Sequence, residues 1–313
     1  SKMKIGFFSE AGYEGKVPRN HPNMRTDLAW VCALDATHHP ILTIGNLSDN
    51  LYDVGVMILP KNRKPLLNYH TLVEQYKRVC KKVTIMQESY YNYWQDSSIE
   101  EQIWYFNFIT EMDLIFCHND VDLEYYNGLT NVRTELLPSV MITDDIVPRN
   151  EWGDATIIGG NWVWAYGGFD SYQVALELGH PITAVTTGRM KPEEDEILNH
   201  VPWVTWREWI DILSQFNVGV QLGTASAGTF NLNCSFHGIP CIGYSNVNTQ
   251  RILHPLTTVN LGEIGRAKDI ARNLVEDDNF YQDCMETTQE LYDKLYTEDK
   301  FVEHFNKVFG SLK

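Results

Sequence analysis

The sequence has 313 residues, with a hydrophobic content of 43% and a charged content of 21%, as is typical of folded globular proteins. No apolar run approaches the roughly 20 residues that a membrane-spanning helix needs, and the N-terminus lacks the apolar core of a signal peptide. The formal net charge of −16 argues against a general nucleic-acid binder. The length is sufficient for two domains, each with its own core.

Strand and helix patterns alternate along the first half of the chain. The predicted strands are residues 3–10, 41–45, 53–59, 82–88, 114–118 and 135–139. The predicted helices lie at residues 25–36, 68–81, 99–112 and 120–129. This order is typical of a doubly wound parallel sheet, and it predicts an N-terminal Rossmann-like domain over residues 1–148.

The same alternation restarts after a polar stretch at residues 142–154, which we interpret as the connection between two domains. Predicted strands follow at residues 155–160, 181–188, 218–222, 241–244 and 258–261, with a further short strand and a helix within 201–216. Further predicted helices lie at residues 169–179, 230–236, 267–276 and within 280–309. We predict a second Rossmann-like domain over residues 149–290 and a helical tail over 291–313.

The most informative stretch is residues 218–244, a strand–loop–helix–strand unit. Its loop, residues 223–229, consists of small and hydroxylated residues, and Gly238 and Pro240 stop the helix. Free N–H groups and the helix dipole make such a loop suitable for binding phosphate. The hydrogen-bond donors expected there belong to Thr224, Ser226, Gly228 and Thr229. The alternative is an ordinary connection between a strand and a helix.

Two further loops of the second half carry features of an anion site. Gly159 and Gly160 end a predicted strand, where glycine lets a ligand approach the backbone. Arg189 and Lys191 can offset the charge of a diphosphate, or they are ordinary surface residues. The sequence has neither GxGxxG nor the P-loop motif, so a dinucleotide fingerprint is unsupported and a P-loop ATPase is excluded.

Glu88 closes an otherwise apolar predicted strand in the first half. Aromatic residues follow it, with Tyr90, Tyr91 and Trp94 among them. A carboxylate beside aromatic side chains suits a general base next to stacking platforms for a sugar or a nucleobase. The alternative is a solvated glutamate with core aromatics.

Other strand-end loops of the first half add Glu10 and His21 to the candidate residues. His38 and His39 have no third ligand at a recognisable spacing, so we assign no metal site. The basic residues between 61 and 82 can meet an anionic partner, or they form a solvated helix face. The six cysteines contain no CxxC pair and predict buried free thiols in a reducing, cytoplasmic setting.

The layout resembles that of the GT-B glycosyltransferases, which have two facing doubly wound domains. The resemblance is carried by the 218–244 unit, with Gly238 and Pro240 in the G-x-P positions of that family, and by the strand with its two glycines at 155–160. It implies an acceptor side in the N-terminal domain, a nucleotide-sugar side in the C-terminal domain, and a final helix that returns to the first domain.

The resemblance also implies site residues. The donor diphosphate is expected on the loops at 159–161, with Asn161, and at 224–229. Many retaining members carry a ribose-binding Glu five residues before the motif glycine, where this chain has Asn233. An amide can still hydrogen-bond a hydroxyl, but the carboxylate contact is missing.

Within GT-B, the compact size, the turn at Val17–Pro18 and the position of Glu88 are similar to the bacteriophage DNA glucosyltransferases. In that family an Asp at a comparable strand end is the base of an inverting reaction. A flipped, modified base of DNA is therefore one acceptor that the resemblance implies.

The resulting hypothesis is a cytoplasmic glycosyltransferase that transfers a sugar from a UDP-sugar to an acceptor hydroxyl. Glu88 is the expected base, with Glu10 and Asp27 as alternatives, and neither a metal nor another cofactor is required. The acceptor is a glycan, a small molecule or a modified DNA base. A nucleotide-sugar epimerase and a noncatalytic nucleotide-binding protein are the competing hypotheses.

Overall fold

The computed structural model describes residues 2–60, 68–87, 91–160, 164–185, 197–224 and 226–310. The chain divides into two compact units. The first comprises Ser1–His21, Asp27–Pro138 and Val302–Lys313, and the second comprises Pro22–Thr26 and Ser139–Phe301. The predicted domain boundaries at 148 and 290 stay predictions.

The first unit is built on a parallel sheet with the strand order β2-β1-β3-β4-β5-β6 over the described residues. Its strands are β1 (Ile5–Ser9), β2 (Thr37–Pro40), β3 (Tyr52–Leu59), β4 (Cys80–Gln87), β5 (Leu114–Cys117) and β6 (Thr134–Leu136). Its helices are α1 (Thr26–Ala33), α2 (Tyr69–Val79), α3 (Ile99–Thr110) and α4 (Asp120–Leu129). The central strands are buried on both faces, as parallel sheets covered by helices require.

A second parallel sheet forms the second unit, with the strand order β12-β11-β10-β7-β8-β9 over the described residues. Its strands are β7 (Thr156–Ile158), β8 (Ile182–Val185), β9 (Asn199–Val201), β10 (Val218–Gln221), β11 (Cys241–Tyr244) and β12 (Thr258–Val259). The helices are α5 (Gly168–Ala175), α6 (Trp206–Leu213), α7 (Thr229–His237), α8 (Asn248–Leu253), α9 (Ile264–Glu276) and α10 (Asp278–Leu295), and the last helix, α11 (Glu298–Gly310), begins in this unit. The predicted α/β class with two doubly wound sheets is confirmed.

Side-chain caps fix where several helices begin. Asn68 accepts the Thr71 N–H at 2.9 Å before α2, and Ser98 accepts the Glu101 N–H at 3.2 Å before α3. Such caps satisfy N–H groups that have no acceptor inside the helix. At the other end, α7 stops at Gly238, which has a φ of +66°. The predicted stop of this helix is therefore confirmed.

The prediction of a strand at residues 41–45 is wrong. The strand is Thr37–Pro40, which pairs with β1, and Ile41–Asn46 forms a 3-10 helix. Ile41 and Ile44 are both buried, at the three-residue spacing of that helix. A short β-branched run therefore looked like a strand although its burial repeats every three residues. The sequence prediction also missed α8, whose buried residues are mostly polar.

The last helix, α11, returns the chain to the first unit from Val302 onward. Within that unit Phe305 is fully buried and stacks on Phe116 of β5 with a centroid distance of 6.1 Å. His304 Nε2 donates a hydrogen bond to the Leu136 carbonyl at 2.7 Å. The predicted return of the C-terminal helix is thus found.

None of the described helices combines the length and apolarity needed to cross a membrane.

Candidate functional site

The order in which successive strands are added to the second sheet reverses at the centre of that sheet. It proceeds from β7 to β8 and β9, and then returns to place β10 directly beside β7 on the other side. The loops that follow β7 and β10 therefore leave the same edge of the sheet at neighbouring points. Ligands of open parallel sheets bind at such switch points.

Direct contacts hold these two loops together. The Thr224 N–H donates a hydrogen bond to the Ala165 carbonyl at 2.8 Å. Gly167 has a φ of +63°, and a Cβ at this position would lie 1.9 Å from the Leu222 carbonyl oxygen. Only a residue without a side chain fits there, so Gly167 allows the loops to approach each other.

The glycine pair after β7 serves close packing. A Cβ at Gly159 would lie 2.3 Å from the Phe230 ring of α7, so this ring occupies the space that the glycine leaves. Gly160 has a φ of +80°, and a Cβ there would lie 2.8 Å from the Gln221 side-chain nitrogen. Helix α7 can therefore lie close to the strand end. Contacts of Gly159 and Gly160 with a ligand stay predictions.

The loop before α7 is fixed by hydroxyl groups. Ser226 Oγ accepts the Gly228 N–H at 2.8 Å, and Thr249 Oγ1 donates to the Gly228 carbonyl at 2.7 Å. Gly228 has a φ of +79° and immediately precedes Thr229, the first residue of the helix. The first N–H groups of a helix lack helical acceptors, so this arrangement can bind an anion.

Two buried polar atoms near this loop have no hydrogen-bond partner among the described residues. They are Thr224 Oγ1 and Asn246 Oδ1, although Asn246 Nδ2 donates to the Thr224 carbonyl. Buried polar atoms are normally paired, so a hydroxyl or amide of a ligand would satisfy them. Sequence reasoning missed Asn246. Its position two residues after the strand ending at Tyr244 was the available signal.

Asn233 is buried on α7, with 3% of its surface exposed. Its Oδ1 accepts the indole N–H of Trp209 at 2.9 Å, and its Nδ2 has no partner among the described residues. The carbonyl end of this amide is therefore already engaged. Two other predicted donor residues, Asn161 and Arg189, lie outside the described residues, and their roles stay predictions.

The predicted catalytic residues of the first unit lie in different settings. Glu88 and Tyr90 lie outside the described residues. Glu10 is exposed and directly follows β1, while Asp27 is partly exposed in the first turn of α1. Both belong to the connection that leaves β1 where the first sheet reverses, between β1 and β3. His21, on the same connection, is partly exposed, and burial lowers its pKa.

From Tyr91 onward, the aromatic stretch that follows Glu88 forms a 3-10 helix, Tyr91–Asp96. Trp94 is 4% exposed and stacks on Tyr105 of α3 at a centroid distance of 3.8 Å. Tyr91 is partly exposed and stacks on Tyr125 of α4 at 4.5 Å. Trp94 thus lies in the core, and Tyr91 is the more accessible of the two predicted platforms among the described residues.

Both histidines of β2 are buried and engaged in hydrogen bonds. His38 Nε2 accepts the Ser9 hydroxyl at 2.8 Å while its Nδ1 donates to the Tyr13 carbonyl at 2.6 Å. His39 Nδ1 bonds to the Glu14 carboxylate. These histidines hold the connection after β1 against β2. Across the described ranges no group of three or more possible ligands is placed to hold a metal ion.

All six cysteines are buried and free, which confirms the predicted thiols. Burial raises the pKa of Cys80 and of Cys284 to about 12. These two thiols are therefore protonated and unreactive at neutral pH.

No protein-family model and no curated protein matches the sequence. Solved structures nevertheless match over the full length. HepE from Anabaena in complex with UDP-glucose has a TM-score of 0.71 at 10% identity and covers 99% of this chain and 100% of its own. BGT from T4 phage with its UDP-glucose substrate has a TM-score of 0.60 at 13% identity, covering 99% of each chain.

An α-glucosyltransferase in complex with UDP and a 13-mer DNA also matches, with a TM-score of 0.64, 12% identity and 99% coverage of each chain. At such identities the likeness establishes the fold. This chain therefore has the GT-B fold, as the resemblance implied.

Proposed function

We propose that this protein is a glycosyltransferase that moves a sugar from a UDP-sugar to an acceptor hydroxyl. The observation that carries the proposal is the full-length likeness to structures that hold UDP or UDP-glucose. The joined loops after β7 and β10 support it, because they lie at the switch point of the second sheet and present N–H groups that can bind an anion. A fold alone does not define an activity, so the binding of UDP at these loops has to be tested separately.

The donor diphosphate is proposed to bind the loops at 159–161 and 224–229. The first N–H groups of α7 and the hydroxyls of Ser226 and Thr229 would stabilise the charge that develops on the leaving UDP. Arg189 would add a positive charge, and Asn233 would contact the ribose. In this proposal no metal is required, because N–H groups and a guanidinium neutralise the diphosphate.

In the first domain a carboxylate would remove the proton of the acceptor hydroxyl as the new glycosidic bond forms and the bond to UDP breaks. Glu88 is the proposed base, with Glu10 and Asp27 as alternatives. His21, Tyr90 and Tyr91 are the proposed acceptor contacts, whereas Trp94 is buried against Tyr105. The proposed domains are 1–148 for the acceptor and 149–290 for the donor, with the tail 291–313 on the first domain. The buried free thiols support a reducing, cytoplasmic location.

Donor binding is tested by calorimetric titration with UDP and UDP-glucose, using Ser226→Ala and Ser214→Ala as a matched pair. Both serines are partly exposed, and the hydroxyl of each makes a hydrogen bond to a backbone group two or three residues away in the chain. Ser214 follows α6 and precedes β10, so it lies at the opposite edge of the sheet. Removal of the Ser226 hydroxyl should weaken UDP binding about tenfold. Equal affinities of the two variants, or no UDP binding by the wild type, would contradict the donor site.

The acceptor is tested by incubating UDP-glucose with glucose or with a DNA duplex containing hydroxymethylcytosine. The DNA acceptor is the second candidate because a structural neighbour binds a 13-mer DNA. Product formation identifies a transferase. If NMR instead shows a changed sugar without any acceptor, the protein is an epimerase. Binding of UDP-glucose without turnover would favour a noncatalytic binder.

A further inference from the structure

A small pocket lies at the carboxyl ends of β4 and β5 in the first unit. Its lining includes Gln87, Tyr91, Phe116, His118, Asp122 and Tyr126. Asp122 is 6% exposed, which is unusual for an aspartate. A carboxylate in such a position needs hydrogen bonds to offset the loss of water.

One oxygen of Asp122 caps the aromatic 3-10 helix. Asp122 Oδ1 accepts the backbone N–H of Tyr91 at 3.0 Å, and Tyr91 is the first residue of that helix. The side chain of Asn119 also hydrogen-bonds to the carboxylate. Asp122 therefore ties the start of the aromatic segment to the first turn of α4.

Ring contacts hold the rest of the segment between α3 and α4. Tyr91 stacks on Tyr125 with an interplanar angle of 23°, and Trp94 stacks on Tyr105 with an angle of 10°. The Tyr105 hydroxyl is hydrogen-bonded to the Tyr126 hydroxyl, which links the two helices. Gln102 of α3 donates to the Trp94 and Ser97 carbonyls at 2.9 and 3.1 Å, which holds the later part of the segment. The hydrogen bond to Asp122 fixes the backbone at its N-terminal end.

We propose that Asp122 is a positioning residue that orders the Tyr91–Asp96 segment for acceptor binding. This role rests on the proposed function, which assigns Tyr91 to the acceptor side. A preordered platform binds with a smaller loss of conformational entropy than a mobile one. Asp122 itself does not need to touch the acceptor.

The titration of Asp122 provides a signature of this role. Burial raises the pKa of Asp122 to about 6, partly offset by its bonds to Tyr91 and Asn119. Burial lowers the pKa of His118 to about 4 and raises the pKa of Cys117 and Tyr126, so these neighbours stay neutral at pH 5–8.

Two further acidic groups, Asp120 and Glu124, lie on the same helix as Asp122. As the pH rises through about 6, Asp122 becomes charged and accepts the Tyr91 N–H more strongly. The Tyr91 amide should therefore be better protected from exchange above pH 6 than below it, after correction for the intrinsic exchange rate.

Hydrogen exchange of the Tyr91 amide tests the contact without any substrate. Labelling with 15N-tyrosine gives 16 backbone signals, and Tyr91→Phe identifies the relevant one by its loss. Asp122→Ala should speed exchange of this amide about tenfold, the effect of losing a hydrogen bond of about 1.4 kcal/mol. Asp122→Asn keeps an acceptor oxygen and should stay within about threefold of the wild type, without the pH dependence.

The matched control is Asp120→Ala, which also removes an acidic residue from the first turn of α4 but at an exposed position. It should leave the exchange of Tyr91 unchanged. Unchanged exchange in Asp122→Ala, or an equal effect of Asp120→Ala, would overturn the proposal.

Kinetics with glucose or the hydroxymethylcytosine duplex, whichever accepts sugar, tests the role in acceptor binding. Asp122→Ala should raise KM for the acceptor about tenfold without changing KM for UDP-glucose, and Asp122→Asn should restore it. An unchanged acceptor KM despite faster Tyr91 exchange would overturn the acceptor role. Absence of transfer by the wild type would remove that role together with the proposed function, whereas the exchange result is independent of both.

Discussion

Arg149 offers the most direct test of what stabilises the second unit. Its guanidinium donates to the carbonyls of Phe216, His237 and Gly238 at 3.1, 3.0 and 2.9 Å, and to the Tyr281 hydroxyl at 2.7 Å. The planar fork of arginine matches such a set of acceptors, which a single ammonium cannot reach together. The sequence suggests only a polar connection between domains at residues 142–154, yet Arg149 from this stretch stabilises the second unit.

Replacing Arg149 by alanine leaves these acceptors without their donor. Hydrogen bonds from a charged group contribute about 1.5–3 kcal/mol each, but water can replace some of them because the side chain is partly exposed. We therefore expect a loss of about 4 kcal/mol in the free energy of unfolding. For a unit of this size the melting temperature should fall by about 8–16 °C, measured by differential scanning calorimetry.

The lysine variant separates charge from geometry. Arg149→Lys keeps the positive charge but loses the fork, so it should recover only about 1 kcal/mol of the loss. Arg266→Ala is the control, because its side chain is 63% exposed and its ion pair with Glu263 is 4.0 Å long. That variant should change stability by less than about 0.5 kcal/mol. A melting temperature of Arg149→Ala within about 2 °C of the wild type would refute the reasoning.

Two further perturbations act on the same unit. Burial lowers the pKa of His237 and of His254 to about 4, below the unfolded value of about 6.5, so their stabilisation is complete above pH 6.5 and is lost as the pH falls toward 4. Between pH 6.5 and pH 5 the protonation of each histidine should lower the free energy of unfolding by about 2 kcal/mol. Equal denaturant midpoints at pH 7 and pH 5 would contradict this. Gly167→Ala should destabilise by more than about 2 kcal/mol because its Cβ would meet Leu222, whereas Gly179→Ala, with a similar φ of +68° and no atom within 4 Å, should cost only about 1 kcal/mol. Similar melting temperatures for the two glycine variants would refute the steric argument.

Most strands of the two sheets could be predicted because buried parallel strands are short continuous apolar runs. The run at 53–59 became β3, and the run at 218–222 became β10, each shifted by no more than one residue. Helix ends were also predictable where a glycine marks them, as at Gly238. These signals are local, so the sequence carries them without knowledge of the fold.

Predictions failed or weakened where burial depends on distant residues. The run at 41–45 has strand-like residues, yet β1 pairs with the preceding Thr37–Pro40 instead. Trp94 looked like a stacking platform, but Tyr105 covers its ring. In both cases the partner is set by the tertiary fold, which overrides a local preference.

The loops proposed to bind the donor show the same dependence at the level of function. Taken alone, the loop at 223–229 fits a phosphate site and an ordinary connection equally well. The pairing of β10 with β7, about sixty residues earlier in the chain, places it beside the loop at 159–168 and makes the two loops one feature. At Asn233 the sequence motif suggests more than the structure supports. A motif position suggests a ribose contact, but its Oδ1 is bonded to Trp209, which leaves Nδ2 as the atom for any such contact. A ribose hydroxyl would therefore have to act as the acceptor at Asn233, whereas the glutamate of the resembled family can only accept.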